Sequence, residues 1–235
     1  MEGGKADFRT AFHFVSSGNE PRLHIVQTSM SIFIILLALA IWGVVHSILA
    51  SHFAKDMIRG MAGAGGMRFY RFGYNVFSVV SFAPILYLML VLPDQPAYAV
   101  PAPWKYLMMG GQLVSLILLL VAFLQTDALS FVGLSQLFGM EKQESGPLVT
   151  RGLYRLVRHP LYTFSLLVLW LNPVVSQNSL AFYLGATLYI VIGAYFEERK
   201  LLREFGEAYA DYMRRTPMLI PFFNFSGARG LNLDT

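Results

Sequence analysis

The sequence contains no cysteine and little charge: Asp, Glu, Lys and Arg together make up only 14% of its 235 residues. The missing cysteines exclude disulfides, thiolate metal sites and cysteine nucleophiles, and they leave the redox compartment open. A soluble domain carries about a quarter charged residues. Here the deficit is concentrated in long windows free of formal charge, while 55% of residues are hydrophobic and mean hydropathy is +0.52. That is how a bilayer-spanning chain reads. A net charge of +4 and a pI near 9.3 raise nucleic acid as a partner. The basic residues flank apolar segments, however, so positive-inside topology accounts for them and no nucleic acid is expected. The N-terminus lacks a basic region running straight into an apolar core and a small-residue cleavage site, so no secretory signal is expected.

What is present predicts an all-α, polytopic membrane protein in three blocks. Residues 1–24 form a polar tail, residues 25–126 hold the first three membrane helices, and residues 127–235 carry a cytoplasmic loop, a helical hairpin and an amphipathic tail. Ile25 to Ala54, Phe72 to Pro93 and Tyr106 to Thr126 each supply about the 20 residues that cross a hydrocarbon core. "LPDQPAYAVPAPW" reads as an exposed turn ending in an interfacial Trp104 anchor. From His159 to Phe196 the charge vanishes again, but Asn172-Pro173 and Gln177-Asn178 break the run into a hairpin. Its first arm, Leu161 to about Leu171, is short for a span.

Basic residues cluster at 51–71 (Lys55, Arg59, Arg68, Arg71) and at 127–158 (Lys142, Arg151, Arg155, Arg158), whereas the 93–105 and 172–178 connections are nearly uncharged. This asymmetry predicts five membrane helices with the N-terminus outside and the C-terminus cytoplasmic, in a bacterial cytoplasmic membrane. Lys5, Arg9 and Arg22 weigh mildly against that placement. Glu197 to Arg215 reads as one charged amphipathic helix, ended by Pro217 and Pro221 and followed by an apolar strap, "TPMLIPFF".

Polar chemistry gathers in "RGLYRLVRHPLY" and in the tail. Pro160 suits the first position of a helix, which puts Arg158 and His159 at a positive helix end where backbone N–H groups and a guanidinium favour a carboxylate or phosphate. Arg151 and Arg155 read as interfacial anchors. Glu197 and Glu198 oppose the macrodipole at a helix C-terminus and return, across the hairpin, to the level of Arg158 and His159. They either pair with that arginine or bind a cation or ribose hydroxyls. Tyr154 and Tyr162 bracket the basic cluster, and Tyr209 and Tyr212 sit three apart on the tail; aromatic faces suit a cationic ligand or a stacked base. Together these groups suit S-adenosylmethionine, which carries a carboxylate, a sulfonium, a ribose and an adenine.

"GLYRLVRHPLY" followed by "FEERKLLREFGEAYADYMRRTPMLIP" resembles the integral membrane methyltransferases of the isoprenylcysteine carboxyl methyltransferase and phospholipid methyltransferase type, over about residues 146–222. "TDALSFVGLSQ" with "TPMLIP" looks most like the bacterial thiol methyltransferases that make dimethyl sulfide from methanethiol. The resemblance implies S-adenosyl-L-methionine as methyl donor, with Arg158, His159, Tyr162, Glu197 and Glu198 contributing to its pocket. It also implies a strap closing over the cofactor and a small or lipophilic acceptor arriving from the bilayer: a thiol or isoprenylcysteine carboxylate first, a lipid amine second. His159, beside Arg158, is the nearest acceptor for a thiol proton, and hydrogen bonding to the cofactor carboxylate competes for that histidine. An alternative comes from "WGVVHSILAS" and "RFYRFGYN", which look like bacterial NnrU-like proteins and related carotenoid isomerases, where membrane histidines are thought to bind haem. On that reading His46 and His159 are axial ligands, although Asn172 stands where the isomerase-like hairpin has a histidine. The plainer role for His46 is a helix-packing hydrogen bond.

Overall fold

The computed structural model describes residues 21–126, 134–138 and 148–221. Residues 1–20 of the expected tail and most of "TDALSFVGLSQ" lie outside them, whereas residues 21–24 of that tail are already helical. Helix α1 runs Pro21–Ala50, α2 His52–Val91 and α3 Trp104–Gln125. After a single turn, α4 (Leu134–Leu137), come α5 (Pro160–Trp170), α6 (Gln177–Phe205) and α7 (Glu207–Arg215). The protein is an all-α polytopic membrane protein. Among the described residues, four helical segments are long and apolar enough to cross a bilayer: Ile25–Ala50, Phe69–Val91, Trp104–Gln125 and Gln177–Phe205.

Lipid replaces water around these helices, so large apolar side chains point outward all along them. Ile41, Val79, Leu113, Leu120 and Leu188 are exposed, and in hydrocarbon that exposure carries no hydrophobic cost. Helix α6 packs on α1, which packs on α2, while α3 packs on α5. Small residues permit the close contacts. A Cβ added at Gly185 of α6 would stand 2.7 Å from Leu39 Cδ2 and 3.1 Å from Leu36 Cδ2 of α1. A compact core of Ile35, Leu39, Ile85, Val175, Phe182 and Tyr183 joins α1, α2 and α6.

Three sequence expectations change in the structure. The basic 51–71 segment is helical: α2 starts there, with Ser51 Oγ capping Ala54 N–H, and departs from helical backbone only at Gly63. The two nearly uncharged connections are not simple turns. They pair as a two-stranded antiparallel sheet, β1 (Pro96–Ala99) on β2 (Val174–Ser176). Pairing satisfies backbone groups held close to the bilayer, where unpaired ones cost most. Asp94 Oδ1 accepts the Asn178 N–H at the start of α6, at 3.0 Å, which ties the two connections together. Finally, the amphipathic tail is not one helix. Gly206, at φ +55°, breaks it into the end of α6 and α7, because a left-handed residue without a Cβ is the usual way to end a helix.

The sheet gathers one end of α2, α3, α5 and α6 on one side, so the ends of α3 and α6 and the start of α5 lie on the other. Helix α5, with 11 residues, rises only about 16 Å, roughly half of a hydrocarbon core. The extended β2 segment, Val174–Ser176, follows it and leads into α6, so this arm is as short as the sequence anticipates.

Candidate functional site

The site lies where α5 begins, at the end of the bundle opposite the sheet. A 3-10 turn over Gly152–Arg155 leads in, and Leu153 N–H donates to Gln125 Oε1 at 3.0 Å, fixing the turn to the end of α3. Val157, Arg158, His159 and Pro160 are all buried, while Arg151 and Arg155 are exposed. Burial thus separates two kinds of arginine within one short stretch. Pro160 opens α5 as expected.

The backbone N–H groups leading into α5 do not stand open for an anion. Arg158 N–H donates to Pro217 O at 2.8 Å and His159 N–H to Met218 O at 3.2 Å. Thr163 Oγ1 adds a bond to Leu219 O at 2.8 Å. The apolar strap after α7 has taken these donors because an extended segment without regular structure must place its carbonyls somewhere.

Arg158 holds the assembly together. Its Nε donates to Glu198 Oε1 at 2.6 Å, and its Nη1 donates to Met213 O at 3.0 Å and Thr216 O at 2.6 Å. The two side chains are 3% and 9% exposed, so this is a buried ion pair across 40 residues of chain. Such a pair offsets its own desolvation only when the remaining polar atoms also find partners, and the two carbonyls meet that condition. The guanidinium therefore closes the tail onto the membrane helices; the bidentate grip on a ligand carboxylate anticipated from the sequence would require it to release Glu198 or the tail.

Glu197, one residue earlier, behaves differently. Its Oε2 accepts from Tyr162 Oη at 2.8 Å and stands 3.7 Å from His159 Nδ1, but its side chain is 43% exposed. His159 Nε2 lies 3.3 Å from Glu198 Oε1, so this buried imidazole has a carboxylate at each ring nitrogen. It also stacks on Tyr162, with centroids 5.4 Å apart and planes 17° from parallel. Two carboxylates face one buried guanidinium and a histidine, which leaves Glu197 as the accessible negative group.

Three tyrosines wall the tail side. Tyr212 Oη donates to Tyr154 O at 2.5 Å, and Tyr209 and Tyr212 meet edge to face at 5.8 Å. Burial pushes the Tyr154 phenol up to about 12, with Glu197 adding to the effect. Burial likewise raises Tyr209, which Glu198 reinforces, and Tyr212. Tyr209 is 1% exposed, and its hydroxyl has no hydrogen-bond partner among the described residues. A buried polar atom left unsatisfied costs about 1–3 kcal/mol, and no described residue offsets that cost for this phenol.

The structure thus brings together Tyr154, Arg158, His159, Tyr162, Glu197, Glu198, Tyr209 and Tyr212, the residues singled out in the sequence. Sequence reasoning missed Thr163 and the carbonyls of Met213 and Thr216. It also undervalued Tyr70, Tyr74 and Ser78, which recur every four residues on α2 and meet His46 and the end of α1. Hydroxyls on one face of an otherwise apolar span were the available signal. Among the described residues no group of three or more His, Cys, Asp or Glu is placed to hold a metal ion.

Comparison with known proteins places this arrangement in context. A methanethiol S-methyltransferase 2 of Bradyrhizobium diazoefficiens is 49% identical over 69 residues, 29% of this chain and 27% of that protein. A methanethiol S-methyltransferase of Crocosphaera subtropica is 33% identical over 129 residues, 51% of each chain. A protein-S-isoprenylcysteine O-methyltransferase B of Arabidopsis thaliana is 30% identical over 96 residues, 38% of this chain and 47% of that protein. The chain therefore spans about half or less of the length of these curated relatives. No solved structure matches it. The family model described as NnrU protein matches residues 34–171, from α1 into the turn after α5. With more than half of its length inside that match, the chain belongs to the NnrU protein family.

Proposed function

We propose that the protein is a membrane methyltransferase that uses S-adenosylmethionine to methylate a small or lipophilic acceptor at the cytoplasmic face of a bacterial membrane. A thiol or an isoprenylcysteine carboxylate is the first choice of acceptor and a lipid amine the second. The observation that carries this reading is the meeting of His159 and Tyr162 with Glu197 and Glu198 across the hairpin, under a strap pinned to the start of α5. The names of the similar proteins support the reaction class.

The residues present fit the cofactor. The unpartnered Tyr209 hydroxyl offers a buried hydrogen bond, Glu197 an accessible carboxylate for hydroxyls or a cation, and the stacked His159–Tyr162 pair an aromatic face. When bound, S-adenosylmethionine supplies an electrophilic methyl group on a sulfonium sulfur. The rest of the work is alignment and exclusion of water. Glu197, Tyr162 and His159 line the ligand side; Tyr154, Tyr209 and Tyr212 form the wall; the strap from Thr216 onward shuts out solvent. Arg158 and Glu198 are positioning residues that fix the strap and the imidazole. His159, with a carboxylate at each ring nitrogen, is better placed to orient than to take a proton from an acceptor.

The haem alternative asks for an imidazole nitrogen open to iron. His46 has hydroxyl partners at both of its nitrogens, so Tyr74 would have to leave first. Calorimetric titration of the detergent-solubilised protein with S-adenosylhomocysteine tests the proposal. Binding is expected, and it should be lost in Glu197→Ala and His159→Ala; a parent protein that binds nothing overturns the reading.

A further inference from the structure

The first turns of α2 lie outside the apolar span that the helix goes on to form, which begins at Phe69. Gly63, at φ +62° and ψ −163°, breaks the helix between the two, so the segment from His52 to Ala62 is not bound to the axis of the span. Its side chains divide among three faces. Ala54 is 3% exposed and packs inward with the half-buried Ile58 one turn on. Phe53, Met57 and Met61 follow at four-residue spacing and are 74%, 50% and 80% exposed. Lys55, Arg59 and His52 fall on the side of the helix away from that stripe. In water such a stripe is an unmet hydrophobic cost; at the boundary between headgroups and acyl chains it is buried, with the cations left among the headgroups.

The basic face meets a second source of cations. His52 lines an open cleft of about 430 Å³ together with Lys200, Arg203 and Glu204 from the end of α6. Helix α2 starts and α6 ends on the side of the bundle opposite the sheet, so the cleft opens at the same border as the apolar stripe. Lys200 and Arg203 are exposed, about one turn apart, and neither forms an ion pair among the described residues. Along this border Lys55, Arg59, Lys200 and Arg203 outnumber Asp56 and Glu204, and Asp56 already faces Arg59 at 3.9 Å. Orienting the chain in a membrane requires only cations near the ends of the spans. It requires neither an exposed apolar stripe nor a cleft that gathers cations from two helices far apart in the sequence. A basic pocket between membrane helices is instead how proteins hold lipid phosphates.

We propose that the segment from His52 to Ala62 is an interfacial helix and that the cleft between it and the end of α6 binds the headgroup of an anionic phospholipid. Lys200 and Arg203 supply the charge for one phosphodiester, and the His52 imidazole supplies a hydrogen bond. Glu204 accepts from headgroup hydroxyls, which favours a glycerol headgroup such as that of phosphatidylglycerol. A choline headgroup offers no hydroxyl and brings its own positive charge to a border already rich in cations. The site stands apart from the methyl-transfer chemistry and does not depend on it. Lys200 lies two residues beyond Glu198 on α6, so an occupied cleft also steadies the helix end that carries the clasp to Arg158.

The test is native mass spectrometry of the full chain in detergent, titrated with phosphatidylglycerol or with phosphatidylcholine of the same acyl chains. Each cation near an anionic headgroup is worth about fivefold in affinity. The parent should therefore retain one phosphatidylglycerol with a preference of about tenfold or more over phosphatidylcholine. The double variant Lys200→Gln/Arg203→Gln should lose about thirtyfold in phosphatidylglycerol affinity. Arg151→Gln/Arg155→Gln removes the same charge from exposed arginines that do not line the cleft, and it should change that affinity by less than about threefold. Equal losses from both double variants, or equal retention of the two lipids by the parent, overturn the site. The interfacial helix has its own readout, because the chain contains no cysteine and a single introduced one takes a nitroxide label. In vesicles containing phosphatidylglycerol, labels on Met57→Cys and Met61→Cys should relax faster with oxygen, which concentrates in the bilayer. A label on Arg59→Cys should respond more to a water-soluble nickel chelate. The same response at all three positions overturns the placement of the helix in the interface.

Discussion

Replacing Glu198 with glutamine keeps the shape of the side chain and deletes the charge that Arg158 faces at 2.6 Å. Arg158 is then a buried cation, 3% exposed at its side chain, that keeps the carbonyl oxygens of Met213 and Thr216 but has lost its buried carboxylate. Breaking one side of a buried pair costs about 3–5 kcal/mol. Glutamine can still accept one bond from Nε, which places Glu198→Gln at about 3 kcal/mol, the lower end of that range. In a chain of this size each kcal/mol shifts the melting temperature by about 2–4 °C, so a fall of about 6–12 °C is expected from tryptophan fluorescence in detergent. Because the pair anchors Met213 and Thr216, the tail should also open more often. Trypsin cleavage after the exposed Arg214 and Arg215 should speed up about a hundredfold when the protease samples the open state. Glu197→Gln is the control: its carboxylate is 43% exposed, and it should lose only about 0.5–1.5 kcal/mol with its Tyr162 bond. If the two variants melt together and their tails are cut at the same rate, Arg158–Glu198 is not the clasp described.

Tyr154, Tyr209 and Tyr212 should stay protonated when exposed tyrosines ionise, seen as missing tyrosinate absorbance between pH 10 and 11 that appears on unfolding. Their folded values are raised above the ordinary one, so their contribution to stability is complete below about pH 10 and is lost as pH climbs through and beyond about 12. Full ionisation of all tyrosines near pH 10 in the folded protein would contradict the burial of this wall. Gly185→Val should wedge α1 from α6 and cost about 1–3 kcal/mol by overpacking, measured as a lower melting temperature, while Gly110→Val, where an added Cβ meets nothing within 4 Å, should cost much less. Protein purified with haem supplied should show no stoichiometric Soret band. A band that disappears in His46→Ala would establish the haem alternative.

Much of this architecture is legible in the sequence because two signals are strong. Charge-free runs locate the spans, and the order of Arg158, His159, Tyr162, Glu197 and Glu198 along a hairpin brings them to one end of it. The details hidden from sequence are those decided by partners far along the chain. The ion pair of Arg158 with Glu198 is one of the two readings the sequence offers, but the carbonyls of Met213 and Thr216 that also claim the guanidinium appear only once the tail folds back. The connections around Tyr98 and Val175 read as turns because each strand is only a few residues long, and the pairing appears only when the other strand is beside it. Gly206 lies inside a strongly amphipathic pattern, and periodicity alone carries the helix through it. His46 is visible as a lone polar residue in a span, but its hydroxyl chain is assembled from two helices.

The central claim is tested most directly by incubating the purified protein with S-adenosylmethionine labelled in its methyl group and a short alkanethiol, then analysing the headspace by gas chromatography and mass spectrometry. The account predicts a labelled methyl thioether, abolished in His159→Ala. No labelled thioether from folded parent protein, with no transfer to an isoprenylcysteine carboxylate or a lipid amine either, would contradict it.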